Sequence, residues 1–121
     1  MTAERRAAKM GVDAVLDDVV VECARQIVLH GVQNPPDFDP QCHLAPEFVP
    51  AYYGLPTEDD AKARCQGSFA SGHGSWGDIL VEEVAEAFSA PSLPQLREEL
   101  VQVAAVAASW IAAIDRRELA E

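Results

Sequence analysis

The sequence predicts an all-α fold, a four-helix-type bundle with a long proline-rich loop after its first helix. Apolar residues recur at three- and four-residue steps, which is the period of an amphipathic helix. No stretch shows the alternation of apolar and polar residues that is typical of a half-buried strand. Six of the eight prolines fall within residues 31–57, and this density predicts a loop without a helix or a central strand.

Length and charge limit the classes of partner. The 121 residues fit a single domain, 1–121, and the 49% of hydrophobic residues suffice for a core. The net charge is −11, from 9 basic and 20 acidic residues. This balance predicts no binding to nucleic acid and none to an anionic membrane, because few groups are present to neutralise phosphates. An acidic protein is still able to bind a phosphate ligand when divalent cations lie between the two anions.

The first helix is expected from about Ala3 to His30. Gly31 follows as a C-terminal stop, since glycine readily adopts the conformation that ends a helix. Cys23 lies on the apolar face of this helix and is therefore predicted to be a core residue. That face is formed by Val12, Leu16, Val19, Cys23 and Ile27.

Helix-start signals place two further helices after the loop. Thr57 precedes three acidic residues, which is typical of an N-cap, and predicts a helix to about residue 70. After a glycine-rich break, Ser75 or Gly77 is expected to begin a helix over residues 76–89.

The last helix predicts an oligomer. Ser92 is its expected cap and Pro94 suits its first turn, and the helix is expected to run to about Leu119. Apolar residues surround its axis, and a small bundle has too few helices to bury all sides of one. A homo-oligomer, dimer or tetramer, with this helix at the subunit contact is the simplest arrangement.

Two pairs of residues with side-chain oxygens carry the candidate chemistry. Glu83 and Glu86 are three residues apart on one helix, and Glu99 and Gln102 repeat this spacing on the next. Residues at this spacing share a helix face, and the short connection 90–94 makes the two helices neighbours. Inward-pointing glutamates on facing helices bind divalent metals, and all-oxygen ligands favour Mg²⁺, with Mn²⁺ as the second choice. The alternative interpretation is that both pairs belong to solvated helix faces.

The same residues resemble a known family. E-E-x-x-E at Glu82, Glu83 and Glu86, followed by E-E-L-x-Q from Glu98 to Gln102, resembles the MazG-like, all-α nucleoside triphosphate pyrophosphohydrolases. The similarity covers mainly residues 75–117. It extends more loosely to R-Q at residues 25–26 and G-V-Q-N at residues 31–34, which resemble a phage and actinobacterial subgroup.

The resemblance implies a reaction and a set of roles. Members of the family use Mg²⁺ to cleave a nucleoside triphosphate to the monophosphate and pyrophosphate. The implied metal ligands are Glu83, Glu86, Glu99 and Gln102. Glu82 and Glu83 are the implied catalytic residues, and Glu82 is expected either to orient the attacking water or to support the metal ligands. The family has aspartate where this chain has Gln102, so the missing charge is expected from Glu98, Asp37 or Asp39.

Substrate binding is assigned to the first helix, the turn after it and the start of the acidic helix. Arg25 is expected to reach a phosphate, with a local pair to Glu22 as the alternative. Amide and imidazole groups in the turn suit a base edge, with ordinary capping as the alternative. Trp76 is expected to stack on the base, with packing as the alternative. The complete predicted set is Arg25, Gln26, His30, Gln33, Asn34 and Trp76.

The sequence thus predicts a cytoplasmic, Mg²⁺-dependent nucleotide pyrophosphohydrolase that acts on a nucleoside or deoxynucleoside triphosphate. Three widely spaced cysteines and the absence of an apolar signal-peptide core favour a reducing compartment. The alternative is a catalytically silent helical oligomer that binds a nucleotide or a protein. Gln102 is the residue that keeps this alternative open.

Overall fold

The protein is all-helical. A computed structural model describes residues 2–120 of the chain, without the side chains of residues 7–10 and 119–120. No strand occurs among the described residues. The α-helices are α1 (Ala3–His30), α2 (Val49–Tyr52), α3 (Glu58–Ala70), α4 (Trp76–Phe88) and α5 (Leu93–Ala120), and a short 3₁₀ helix covers Pro46–Phe48.

Local capping chemistry explains where the long helices begin and end. The Thr57 side chain accepts a hydrogen bond from the backbone N–H of Asp60, which caps α3. Ser75 and Asp78 form a reciprocal capping box at the start of α4. Gly31 ends α1 with a φ of 71°, in the left-handed region that glycine adopts without steric cost. The four predicted long helices are therefore confirmed.

The prediction of a loop without helix over residues 31–57 was wrong for residues 46–52. Pro46 is the first residue of the 3₁₀ helix, and Pro50 is the second residue of α2. At these positions the backbone N–H has no acceptor within the helix, so proline, which lacks this N–H, costs the helix no hydrogen bond. A high proline density therefore excluded long helices in this segment and not short ones.

An aromatic cluster holds this segment against the end of α4. The Phe38 and Tyr53 rings each lie 5.3 Å from the Phe88 ring, centroid to centroid, in edge-to-face arrangements. The Tyr52 hydroxyl donates to Asp39 Oδ2 at 2.6 Å, and the Asp39 backbone N–H donates to the Tyr53 hydroxyl at 2.6 Å. The hydrogen bond to Asp39 raises the pKa of Tyr52 to about 12 and lowers that of Asp39.

The chain divides into two compact units, and α5 contributes to both. The first comprises residues up to Asp37 and those from Ala108 on, and the second comprises residues 38–107. In the first unit, Val15 packs with Ala108 and Ala112, and Val12 lies against them. In the second unit, α3 packs against α4 and α2 contacts α4.

The predicted apolar face of α1 is only partly correct. Cys23, predicted to be a core residue, is exposed, and Leu16, Val19 and Ile27 are about half exposed. Val15, which lies outside the predicted face, is the buried residue among those of α1 whose side chains the structure describes. The reason is that the first unit contains only α1 and the end of α5, and two helices bury one narrow strip of each other.

None of the helices within the described part of the chain combines the length and the apolar character that a bilayer crossing needs.

Candidate metal centre

Helix spacing positions the acidic residues of the second unit. The capping box at Ser75 sets the start of α4, and from there Glu83 and Glu86 fall on one helical face. Glu99 lies in the second turn of α5, just after the short connection 89–92 that joins the two helices. A tight connection between α4 and α5 therefore brings carboxylates from two helices together.

Three of the four predicted metal ligands converge. One carboxylate oxygen from each of Glu83, Glu86 and Glu99 lies within 4.8 Å of the other two, and all three side chains are half-buried. Glu83 Oε2 and Glu99 Oε2 are buried and have no hydrogen-bond partner in the protein. Buried polar atoms are nearly always satisfied, so these two oxygens require a proton, a water or a cation.

The electrostatics of the cluster also indicate that its carboxylates require a proton or a cation. Burial, followed by repulsion from Glu99, raises the pKa of Glu83. Burial, followed by repulsion from Glu83 and Glu99, raises the pKa of Glu86 to about 7. Three carboxylates do not accept hydrogen bonds from one another while all are ionised. A proton on Glu86 lets that group donate to a neighbour, which is how the cluster accommodates its charge without a cation.

The donor set fits a hard divalent cation. All three groups are carboxylates, the ligands that Mg²⁺ and Mn²⁺ prefer. Two oxygens on opposite sides of one Mg²⁺ are about 4.2 Å apart, twice the usual bond length of about 2.1 Å. The three carboxylate oxygens of the cluster lie within 4.8 Å of one another, so a small adjustment of the side chains brings them to this geometry.

We predict that the metal-free protein becomes more stable as the pH falls. Glu86 has a folded-state pKa of about 7 against an ordinary value of 4.5. Its contribution is therefore fully present below about pH 4.5 and is lost as the pH rises through about 7. Glu22 and Asp39 have lowered pKa values, so their contributions to stability are lost only when the pH falls below the range in which Glu86 titrates. Thermal melts in a metal chelator between pH 5 and pH 8 measure the effect, which should amount to several degrees.

A matched pair of variants assigns this pH dependence. Glu86→Gln should flatten it, because an uncharged side chain removes the titrating group. Glu118→Gln, at an exposed position near the end of α5, should leave it unchanged. Equal pH profiles for wild type and Glu86→Gln would show that the three carboxylates do not repel one another in solution.

A cavity of about 250 Å³ adjoins the cluster and adds further acidic groups. Glu86 and Glu99 line it together with Glu58 and Glu98. At its wall the buried Ser89 hydroxyl donates to the Ala85 carbonyl at 2.6 Å. The cavity gives the cluster an open side that is lined by negative charge, where a hydrated cation and an anionic ligand have room to approach.

Glu82 has a partner that the sequence did not reveal. The buried thiol of Cys65, on α3, donates a hydrogen bond to the Glu82 carboxylate. Burial, followed by this hydrogen bond, raises the pKa of Cys65 to about 11, so the thiol stays protonated and remains a donor. Cys65 follows Ala61 by four residues on the buried face of α3, which was the only sequence signal for this position.

The other residues proposed to supply charge differ in their surroundings. Gln102, the fourth predicted ligand, is exposed. Asp39 accepts hydrogen bonds from Tyr52 and from the Gln41 backbone, so its carboxylate is already engaged. Asp37 is exposed. Glu98 is the proposed residue that lines the cavity beside the cluster.

The predicted substrate-binding residues fall in both units. Arg25 forms a bidentate pair with Glu22, with Nε at 2.8 Å from Glu22 Oε2, and Gln26 donates to the same carboxylate. The local pair weighed as an alternative for Arg25 is therefore present. His30, Gln33 and Asn34 are exposed residues of the first unit, and Trp76 is half-buried in the second. A role in substrate binding stays a prediction for all six.

Comparisons with known proteins add no assignment. A scan of protein-family models, a search of curated proteins and a search of solved structures each found no match to this chain.

Proposed function

We propose that the protein is a Mg²⁺-dependent nucleotide pyrophosphohydrolase that cleaves a nucleoside or deoxynucleoside triphosphate to the monophosphate and pyrophosphate. The observation that carries the proposal is the meeting of Glu83, Glu86 and Glu99, with two buried oxygens that lack partners. Such a cluster stores electrostatic repulsion, which a divalent cation relieves. The resemblance of the same residues to the MazG-like pyrophosphohydrolases supplies the reaction.

Each acidic residue has a distinct task in this proposal. Glu83, Glu86 and Glu99 hold Mg²⁺, or Mn²⁺ in its place. When bound, the cations offset the charge of the triphosphate and lower the pKa of a water. Glu82 orients the attacking water and accepts its proton, and the Cys65 hydrogen bond holds its carboxylate in place. Glu98 lines the cavity and adds the negative charge that the neutral Gln102 does not supply.

The proposal extends to assembly and location. We assign the protein to the cytoplasm, where its three free cysteines remain reduced. We also assign it a homo-oligomeric state, dimer or tetramer. In support, both α1 and α5 expose large apolar side chains to an extent that is unusual for a monomer. The most exposed of these are Val20, Val21, Val28 and Leu29 on α1 and Leu93 and Val101 on α5.

A catalytically silent oligomer that binds a nucleotide or a protein is the second candidate. The observation that favours it is that Gln102, the fourth predicted ligand, is neutral and exposed. With three carboxylates in place of four anionic ligands, metal affinity is lower and turnover is not assured.

A pyrophosphate-release screen over the common ribo- and deoxyribonucleoside triphosphates separates the two candidates. The hydrolase should release pyrophosphate with at least one of them, only when Mg²⁺ or Mn²⁺ is present. Gln102→Asp should keep or raise this rate, because it restores a negative charge next to Glu99. A silent binder shows no release in either form. Absence of both turnover and metal-dependent nucleotide binding in calorimetry would refute the hydrolase proposal.

A further inference from the structure

A small apolar pocket lies where α3 ends and α4 begins. Its volume is about 250 Å³, and it is lined by Phe69, Gly74, Ser75, Trp76 and Ile79. Pockets for whole drug-sized molecules measure about 300–1,000 Å³, so this one suits a fragment the size of a single aromatic ring system. Nothing in the metal chemistry above uses it.

The shape of the pocket depends on a glycine. A Cβ atom at Gly74 would lie 2.2 Å from Cδ1 of the Phe69 ring, closer than any two such atoms approach. Glycine therefore lets the backbone pass directly against the ring, and the Phe69 side chain remains 50% exposed at the pocket. An exposed aromatic ring beside a glycine backbone is a surface on which a flat ligand stacks.

Both aromatic side chains of the pocket lack an aromatic partner. Among the described residues, ring-to-ring contacts are made by Phe38, Tyr52, Tyr53 and Phe88, all at the other end of α4. Phe69 and Trp76 are absent from this network although they line the same pocket. Among the described residues no other ring therefore competes with a ligand for contact with Phe69 or Trp76, and the exposed half of the Phe69 side chain is accessible to a ligand.

Helical geometry aligns the pocket with the metal centre. Trp76, Ile79, Glu83 and Glu86 follow steps of three and four residues, so they share one face of α4. At 1.5 Å per residue, Glu83 lies about 6 Å along the helix from Ile79 and about 10 Å from Trp76. A ligand with a flat ring at one end and phosphates at the other matches this order of apolar pocket and acidic cluster.

We propose that this pocket is the nucleobase subsite of the triphosphate substrate and that it binds the base chiefly by stacking. The proposal rests on the function proposed above. The Ser75 hydroxyl at the pocket is already engaged, because it donates to Asp78 Oδ2 at 2.8 Å and accepts from the Asp78 N–H. The Trp76 indole N–H is then the one side-chain donor that lines the pocket, and a single donor finds an acceptor on every base. Stacking surfaces accept every base, so the enzyme discriminates weakly among them.

Binding of neutral nucleosides tests the pocket without the metal centre. The sequence has two tryptophans, so a Trp110→Phe background leaves Trp76 as the only indole. In a metal chelator, both adenosine and cytidine should change the Trp76 fluorescence, with dissociation constants within roughly tenfold of each other. Phe69→Leu in this background should weaken both by roughly tenfold.

Phe48 offers a matched control, since it is 51% exposed and lines no part of this pocket. Phe48→Leu should leave nucleoside binding unchanged. Gly74→Ala is a second way to obstruct the pocket, and circular dichroism verifies that each variant keeps its helix content. The pocket assignment is overturned by an unchanged Trp76 signal with both nucleosides. It is also overturned by equal binding in Phe69→Leu, or by a preference for one base of more than a hundredfold.

Kinetics distinguish failure of the pocket from failure of the hydrolase. If triphosphates are cleaved and Phe69→Leu leaves KM unchanged, the base does not bind here although the hydrolase proposal holds. If nucleosides bind in a Phe69-dependent manner and no triphosphate is cleaved, the hydrolase proposal fails and the pocket still binds a flat heterocycle. An increase in KM for all bases in Phe69→Leu, with kcat largely kept, is the expected result.

Discussion

A Glu83→Gln variant is expected to lose metal-dependent pyrophosphate release by at least about 100-fold while it keeps its fold. Changes to residues that merely support a metal ligand typically cost about 10–100-fold, and removal of a ligand's charge costs more. Glutamine matches glutamate in size, so the half-buried position is not left with a void. Pyrophosphate release and calorimetric titration with Mn²⁺ measure the two losses, which should occur together.

The same variant has an expected stability effect of the opposite sign. Burial and repulsion from Glu99 raise the pKa of Glu83, so the ionised form is unfavourable in the folded state without a cation. Removal of this charge should keep or increase the melting temperature of the metal-free protein above about pH 7. Glu47→Gln, at an exposed position outside the cluster, serves as the control and should change neither quantity. Full activity in Glu83→Gln would exclude this cluster as the catalytic centre.

The sequence predicted most of what local chemistry determines. Thr57 and Ser75 start α3 and α4 because a side-chain oxygen satisfies an unpaired backbone donor, and this requires no knowledge of the rest of the chain. The meeting of Glu83 and Glu86 also follows from local geometry, since residues three apart share a helix face. Glu99 was accessible to prediction because only a short connection separates α4 from α5.

Features that depend on contacts between distant residues were missed. The partner of Glu82 is Cys65 on α3, and no spacing rule connects residues on different helices. The short helix at Val49–Tyr52 lies in a segment that the rings of Phe38, Tyr53 and Phe88 hold together, and its prolines argued against it locally. The exposure of Cys23 has a related cause, because an apolar face shows what a helix is able to bury and not whether a neighbour covers it.

The largest expected effect on stability comes from Ala108→Glu. Ala108 is 6% exposed and packs with Val15 and Ala112, with Val12 against them. A carboxylate at this position would be buried among apolar groups without a partner, which typically costs about 3–5 kcal/mol. The first unit has little other core to compensate, so a large fall in melting temperature is expected. Thermal melts followed by circular dichroism measure it.

Ala105 supplies the matched control, because it lies one helical turn earlier on α5 and is exposed. Ala105→Glu should leave the helix content and the fold of the isolated chain intact, since its carboxylate remains in water. If α5 forms the subunit contact, however, Ala105→Glu should also reduce the mass seen by sedimentation at micromolar concentration. Loss of oligomer mass without loss of helix in Ala105→Glu, together with unfolding in Ala108→Glu, would show that two neighbouring turns of α5 have different roles, one in the subunit contact and one in the core. Equal stability of the two variants would contradict the packing of Val15 on Ala108, and a monomeric wild type would contradict the proposed assembly.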